Sequence, residues 1–255
     1  MSALPKIEWR GVTKRFGDRL VLDRLQLSVL PGRSLVVIGG SGQGKSVMLK
    51  TALGLMRPDG GQILIDGEDV ARLTGRTAQQ RFSRLGMLFQ GAALFDSLSV
   101  WENIAFRLIN ADGIARHEAR RRALAALSKV RLGPRVADLN PAELSGGMQK
   151  RVALARAIVA EPEIMFFDEP TTGLDPITAG AINQLITQQV KGLGCTAVTI
   201  THDLASARAI ADEVALLHDG KVRWQGPVSD LDRSEDPYVE QFVGGLVSGP
   251  ITSDV

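Results

Sequence analysis

Residues Gly39 to Ser46 read GGSGQGKS, the spacing G-x-x-x-x-G-K-[ST] of a phosphate-cradling loop. Glycines at Gly39, Gly40, Gly42 and Gly44 let main-chain N–H groups close around phosphate oxygens. Ser41 and Gln43 complete the loop, and Val47 leads out of it. Lys45 is placed to reach β- and γ-phosphates, and the Ser46 hydroxyl to ligate Mg²⁺. The bland alternative is a glycine-rich turn that happens to precede Lys-Ser. The apolar SLVVIGG before it and the helix-like run from Lys45 to Leu55 after it favour the loop.

A second anion site stands about a hundred residues on. LSGGMQKRVALARAI, Leu144 to Ile158, opens a helical stretch on a glycine pair. Free N–H groups and the positive end of a helix dipole point at whatever occupies such a start. Ser145, Gly146 and Gly147 therefore pose a question, since one nucleotide needs one loop. Ser145 also reads as a plain helix cap. Asp168 and Glu169 end the apolar run IMFFDE, and strand ends are where ligands bind in open α/β sheets. Asp168 suits Mg²⁺ through water, and Glu169 suits a general base that polarises an attacking water. Alone, such a pair commonly just terminates a strand in solvent.

Three further residues join them. Gln90 ends LGMLF and can touch Mg²⁺ or the lytic water, or be an exposed polar residue. His202, in THD at the end of CTAVTI, is within plausible reach of a γ-phosphate, although a lone histidine is more often structural. Asp175-Pro176 reads as a helix start with Asp at the cap and Pro at the first position, a role compatible with function. Asp203 reads as a structural cap, and His117 and His218 as structural histidines.

The elements that must hold these residues follow from periodicity. Lys6 to Leu30 alternates as antiparallel strands about a turn at Gly17-Asp18. Apolar strands SLVVIGG, RLGMLFQ, IMFFD, CTAVTI and VALL alternate with helices at Lys45–Leu55, Ile177–Val190 and Leu204–Ala211, which implies a mainly parallel sheet. Between Gln90 and Ile164 the period is helical, over Leu98–Ile109, Arg116–Val130 and Gly146–Ala160. The expected fold is α/β of the P-loop NTPase type, with an N-terminal antiparallel β subdomain and a helical insertion. One domain over 1–255 is expected, with the helical subdomain at about 91–160 and a tail from about 228.

Composition narrows the class. The 255 residues carry 30 Lys and Arg against 28 Asp and Glu, a net charge of +2, and 5% aromatics. Neither a strong positive field nor a base-stacking platform is present, so no nucleic-acid partner is expected. The lone Cys195 excludes an intramolecular disulfide and fits a reducing cytoplasm. The opening MSALPKIEWRGVTKRFG has no signal-peptide apolar core, and no apolar run reaches the ~20 residues that span a bilayer. Membrane work would require another chain as anchor.

In their order, GGSGQGKS, Gln90, LSGGMQ, IMFFDE, GLDP and His202 resemble the ATP-binding-cassette ATPases from about Lys6 to about Pro227. LSGGMQ is the most diagnostic segment. The resemblance implies ATP and Mg²⁺ as cofactors and a head-to-tail pair of cassettes. In that pair, Ser145-Gly146-Gly147 of one copy contacts the γ-phosphate of ATP on the other copy's Lys45 loop. It also implies that Phe16 in KRFG stacks on adenine; a strand-core role is its alternative. Val47 stands where many cassettes have a second threonine, a departure that leaves phosphate and metal chemistry untouched.

The stretches GMLFQGAALFDSLSVWENIAF, GGSGQGKSVMLK and QFVGGLVSGP are similar to ATPases of Mla-type, MCE-associated phospholipid transporters. That resemblance implies a transmembrane permease partner, an MCE-type lipid-binding protein in the same complex, and a place on the cytoplasmic face of the inner membrane. It makes Leu94, Phe95, Leu98 and Trp101 candidates for permease docking, with packing inside the insertion as the alternative. The cluster Arg116, Arg120, Arg121, Arg122 reads as a solvated helix face, with contact to inner-leaflet headgroups as its alternative. The competing functions are an importer ATPase for another solute, a soluble cassette ATPase without transport, and a small-molecule kinase. The last leaves LSGGMQ unexplained.

Overall fold

The computed structural model describes residues 4–252. Residues 1–3 and 253–255, which begin and end the expected 1–255 span, lie outside the described residues. In chain order the elements are β1 (Ile7–Phe16), β2 (Arg19–Val29), β3 (Ser34–Ile38), α1 (Lys45–Ala52), β4 (Gly60–Ile65) and β5 (Glu68–Asp69). Then come α2 (Gly75–Phe82), β6 (Leu85–Leu88), α3 (Val100–Asn110), α4 (Arg116–Lys129), α5 (Gly146–Ile158) and β7 (Ile164–Asp168). The chain continues through α6 (Pro176–Leu193), β8 (Thr196–Ile200), α7 (Leu204–Ile210), β9 (Glu213–His218), β10 (Lys221–Pro227) and α8 (Pro237–Gly244). It divides into two compact units, one of residues up to Gln79 with those from Val198, the other of Gln80–Ala197.

In the first unit the period-two alternation does what it implies. β1 buries Ile7, Trp9 and Val12 and pairs antiparallel with β2 on one side and β4 on the other. The hairpin turns at Gly17, whose φ of 57° a side chain would resist. The Trp9 indole donates to Met48 O at 3.3 Å and so ties this sheet to α1. β3 is buried at every residue and lies parallel to β9, from Leu35 opposite Glu213 to Ile38 opposite Leu216. Such an unbroken apolar strand is the mark of a parallel sheet covered on both faces. β10 pairs antiparallel with β9.

In the second unit β6 and β7 are parallel, from Leu85 opposite Ile164 to Leu88 opposite Phe167. Gly86 makes room here: a Cβ would stand 2.4 Å from Met165 Sδ and 2.8 Å from Ala157 O. α3, α4 and α5 bury Ile104, Leu108, Leu127, Val152 and Leu154. α3 opens on a capping box of Ser99 and Glu102. The mixed α/β fold, with its antiparallel N-terminal sheet and parallel pairs, is the one the sequence implied. α1 stops three residues short of the expected Leu55, at a turn where Gly54 has φ 67°. β6 ends at Leu88, so Gln90 lies beyond the strand, in a turn closed by Ala92 N donating to Phe89 O at 3.0 Å. α2, β10 and α8 were not anticipated. Among the described residues no helix is long and apolar enough to cross a membrane.

Asn103, fully buried on α3, organises the chain that precedes its helix. Its Oδ1 accepts from Phe95 N at 2.7 Å, and its Nδ2 donates to the carbonyls of Phe95, Leu98 and Ser99 at 2.9–3.1 Å. Asn103→Ala removes the side-chain acceptor of Phe95 N and the side-chain donor to Leu98 O, while Phe95 O still accepts from Leu98 N and Ser99 O from the N–H of residue 103, and should lower the unfolding free energy by about 2–3 kcal/mol in urea denaturation. A loss below about 0.5 kcal/mol would show that water replaces the clamp.

Candidate functional site

The loop between β3 and α1 is built within the first unit. Gly44 caps α1 with φ 99°, and a Cβ there would meet Val21 O at 2.8 Å and Leu22 Cδ2 at 3.0 Å. Gly39, with φ 152°, brings its backbone so close to β9 that a Cβ would fall 2.3 Å from Leu217 O. Gly40 has no such neighbour; a Cβ would make ordinary contact with Gln43 Cγ at 3.6 Å. The Gln43 amide oxygen accepts from Asp219 N at 2.6 Å, pinning the loop to the β9–β10 turn. Lys45 is buried, and its Nζ donates to Gly39 O at 2.6 Å and Gly40 O at 2.8 Å. Ser41, Gly42 and Ser46 are exposed, while Val47 is half-buried and Arg19 Nη2 donates to Gly42 O at 3.4 Å. The N–H groups of the first turn of α1 have no partner inside the helix, so this loop presents donors and an ammonium to an anion.

Phe16 ends β1 and is 48% exposed, which removes its strand-core alternative. Lys14 Nζ lies 5.7 Å from its ring centroid. His202 is exposed immediately after β8, and Asp203 caps α7 by accepting from Ala205 N and Ser206 N. His218 is buried, with its ring 5.4 Å from that of Tyr238, a structural histidine as expected.

The second unit gathers Gln90, Ser145, Gly146, Gly147, Asp168, Glu169 and Asp175. Asp168 is the half-buried last residue of β7, and Glu169 turns the chain at φ 47°, a left-handed conformation that costs a non-glycine residue about 1 kcal/mol or more. Thr172 Oγ1 donates to Glu169 Oε2 at 3.0 Å and fixes the carboxylate. Ser145 caps α5 by accepting from Met148 N at 3.3 Å. Gly147 has a packing reason to be glycine, because a Cβ would meet Thr178 Cγ2 at 2.8 Å; Gly146 has none, with Leu174 Cδ2 at 3.8 Å. The glycine pair is thus half explained by structure alone. Asp175 caps α6, and the Thr178 hydroxyl, with the N–H groups of Thr178 and Ile177, holds its carboxyl below the usual range.

One participant was missed in the sequence. Lys150 on α5 is 6% exposed, and its Nζ donates to Gln90 O and, at 3.4 Å, to Glu169 O. Burial pushes its ammonium below the usual lysine value, against the pull of Asp168 and Glu169. Only its seat two residues past Met148 in the Ser-Gly-Gly helix could have drawn attention. The arginine cluster is engaged as a solvated face would be: Arg116 with Glu102, Arg120 with Asp138, and Arg121 and Arg122 with Glu118, whose carboxyl they lower to about 2. Of the docking candidates, Phe95 is exposed and rests 4.6 Å from the Phe106 ring, Leu94 and Leu98 are half-buried, and Trp101 is buried beneath Arg116 and Arg120.

A glycine loop holding a lysine before a helix, an acid pair ending a parallel strand and a second Ser-Gly-Gly helix start define a cassette ATPase. The ABC transporter family model matches residues 22–172, and the chain belongs to that family. It is similar to the intermembrane phospholipid transport system ATP-binding protein MlaF of Haemophilus influenzae, 40% identical over 245 residues, 96% of this chain and 92% of that one. It is also similar to the probable ribonucleotide transport ATP-binding protein mkl of Mycobacterium leprae, 38% identical over 96% of this chain and 70% of that one. Among solved structures, the ATP-binding cassette MJ0796, a dimer in a post-hydrolysis state bound to ADP and Pi, matches with a TM-score of 0.79 and 32% identity, over 87% of this chain and 98% of that chain.

The close approach at Gly39 separates two loop glycines by experiment. Gly39→Ala should lower the melting temperature by about 4 °C or more and weaken nucleotide binding, whereas Gly40→Ala should leave the melting temperature within about 1 °C of wild type. Equal effects in differential scanning calorimetry would mean that contact with β9 does not shape the loop.

Proposed function

We propose that the chain drives phospholipid trafficking at the inner membrane as the ATPase subunit of an Mla-type, MCE-associated transporter. The identity to the Haemophilus protein across 96% of the chain carries the substrate class. In this reading the chain is one cassette domain with a helical subdomain at about 91–160, held at the cytoplasmic face by a transmembrane permease. An MCE-type lipid-binding protein completes the complex. Phe95, exposed beside Phe106, leads the docking candidates.

The chemistry is assigned residue by residue. Phe16 stacks on adenine. The N–H groups from Gly39 to Val47 hold the phosphates, and Lys45 leaves its two loop carbonyls to pair with the β- and γ-phosphates. Among the described residues no group of three or more His, Cys, Asp or Glu is set to hold a metal by itself. The Ser46 hydroxyl, Asp168 carboxylate and Gln90 amide are instead hard oxygen donors, suited to Mg²⁺ that shares its ligands with phosphate and water. That ion, when bound, neutralises charge on the phosphate oxygens. Glu169, its carboxylate held by Thr172, takes a proton from the attacking water, and Gln90 and His202 orient water and γ-phosphate. The Ser145-Gly146-Gly147 start serves the nucleotide of a second copy, with Asp175 at the same junction. ATP then joins two copies and hydrolysis releases them.

Glu169→Gln should lower kcat roughly 100-fold or more, leave ATP binding intact and trap a dimer by light scattering. A variant that binds ATP yet stays monomeric at saturation sinks the second-copy assignment. Lys45→Ala should weaken nucleotide binding itself. The mkl similarity favours a second reading, transport of another solute. Affinity purification from membranes decides: a permease and an MCE protein with bound phospholipid support the lipid reading, and a periplasmic solute-binding partner rejects it.

A further inference from the structure

α5 sends two cations to a single stretch of main chain. Lys150 Nζ donates to Gln90 O, and Arg156 donates from Nη2 to Ala92 O and from Nη1 to Ala93 O, both at 2.7 Å. Ala92 and Ala93 are consecutive left-handed residues, at φ 61° and 51°. Two such residues in a row are strained and persist only where the surroundings hold them. The same Lys150 nitrogen donates to the carbonyl of Glu169, itself left-handed. Lysine is almost never buried unless paired, and this one spends its donors on two backbone carbonyls rather than on a carboxylate in a surface pair. One ammonium therefore ties the turn carrying Gln90 to the corner carrying Glu169.

We infer that Lys150 is a positioning residue for ATP hydrolysis: it holds Gln90 and Glu169 in register, while Arg156 fixes the turn behind Gln90. The inference rests on the roles assigned above to Gln90 and Glu169. The hydrogen bonds of Lys150 Nζ go to the main-chain carbonyls of Gln90 and Glu169. Its effect lies in where two main-chain segments sit, and a misplacement of about 1 Å can cost as much as 100-fold in rate.

The test uses the full chain, with steady-state ATPase kinetics and amide hydrogen exchange. Lys150→Met keeps the apolar stem and removes the donors. It should lower kcat about 10-fold or more with an unchanged KM for ATP, and speed exchange at residues 90–93 and 169–172 alone. Lys150→Arg, which restores the donors, should recover most of kcat. If the Met variant does not fold, Lys150→Gln, with a shorter neutral donor, should show a partial kcat loss at unchanged KM. Wild-type kcat in Lys150→Met overturns the inference, as does a change in KM alone or faster exchange throughout the chain. Glu169→Gln assayed alongside separates the two levels. If it keeps turnover, the assignment of the base fails; if it loses turnover while Lys150→Met does not, only the positioning role fails.

Discussion

Three backbones meet at the phosphate loop where no side chain fits. A Cβ on Gly39 would fall 2.3 Å from Leu217 O, one on Gly44 2.8 Å from Val21 O, and one on Gly220 2.6 Å from the same oxygen. Asp23 N donates to Gly220 O at 3.1 Å across this contact, and Gln43 reaches Asp219 N from the loop. The loop is therefore shaped by β2 and the β9–β10 turn as much as by its own glycines. Close packing of this kind resists small displacements, because interiors have few voids to absorb them. That stiffness fixes the direction of the N–H groups at the start of α1, an arrangement that suits the phosphate role proposed for the loop.

The second unit solves a related problem with charge. Glu169, Ala92 and Ala93 adopt backbone conformations that ordinary residues avoid, and cations from α5 reach the carbonyl of each. Burying an ammonium and a guanidinium is costly, and burial lowers the pKa of both Lys150 and Arg156. Strain and desolvation accumulate at the segments to which the proposed chemistry is assigned. The exposed pairs of α4 show the contrast: Glu118 with Arg121 and Arg122 has short contacts, but in solvent such pairs contribute little.

What was legible in the sequence was local. The loop, the acid pair and the Asp-Pro start of α6 each depend on residues within one turn of one another, so type and spacing suffice. The same reading was open for α8, which begins at Asp236-Pro237 with Asp236 accepting from Tyr238 N and Val239 N, as Asp175 does at α6. The polar run before it concealed the match. β10 alternates only between half-buried and exposed, so its apolar face was too faint to register as a strand. Lys150 and Asn103 were illegible for a different reason. Helical periodicity assigns a lysine or an asparagine to the wet face, and only tertiary structure shows that each spends its donors on distant carbonyls.

The Ser-Gly-Gly start shows how one motif can answer to two demands. Gly147 faces Thr178 of α6 so closely that a methyl group would collide, which is reason enough for glycine with no ligand in view. Among the described residues a Cβ on Gly146 would meet only Leu174 Cδ2, at an ordinary 3.8 Å, and no contact there forbids a side chain. Ser145 satisfies one donor of α5 by accepting from Met148 N, a bond in which Gly146 takes no part. An exposed glycine in a helix's first turn costs stability relative to alanine and returns nothing within its own unit. The role proposed for this helix start would supply a compensating gain, because N–H groups at a helix start bind phosphate. Gly146, the residue with the least structural work to do, is therefore the more informative half of the pair.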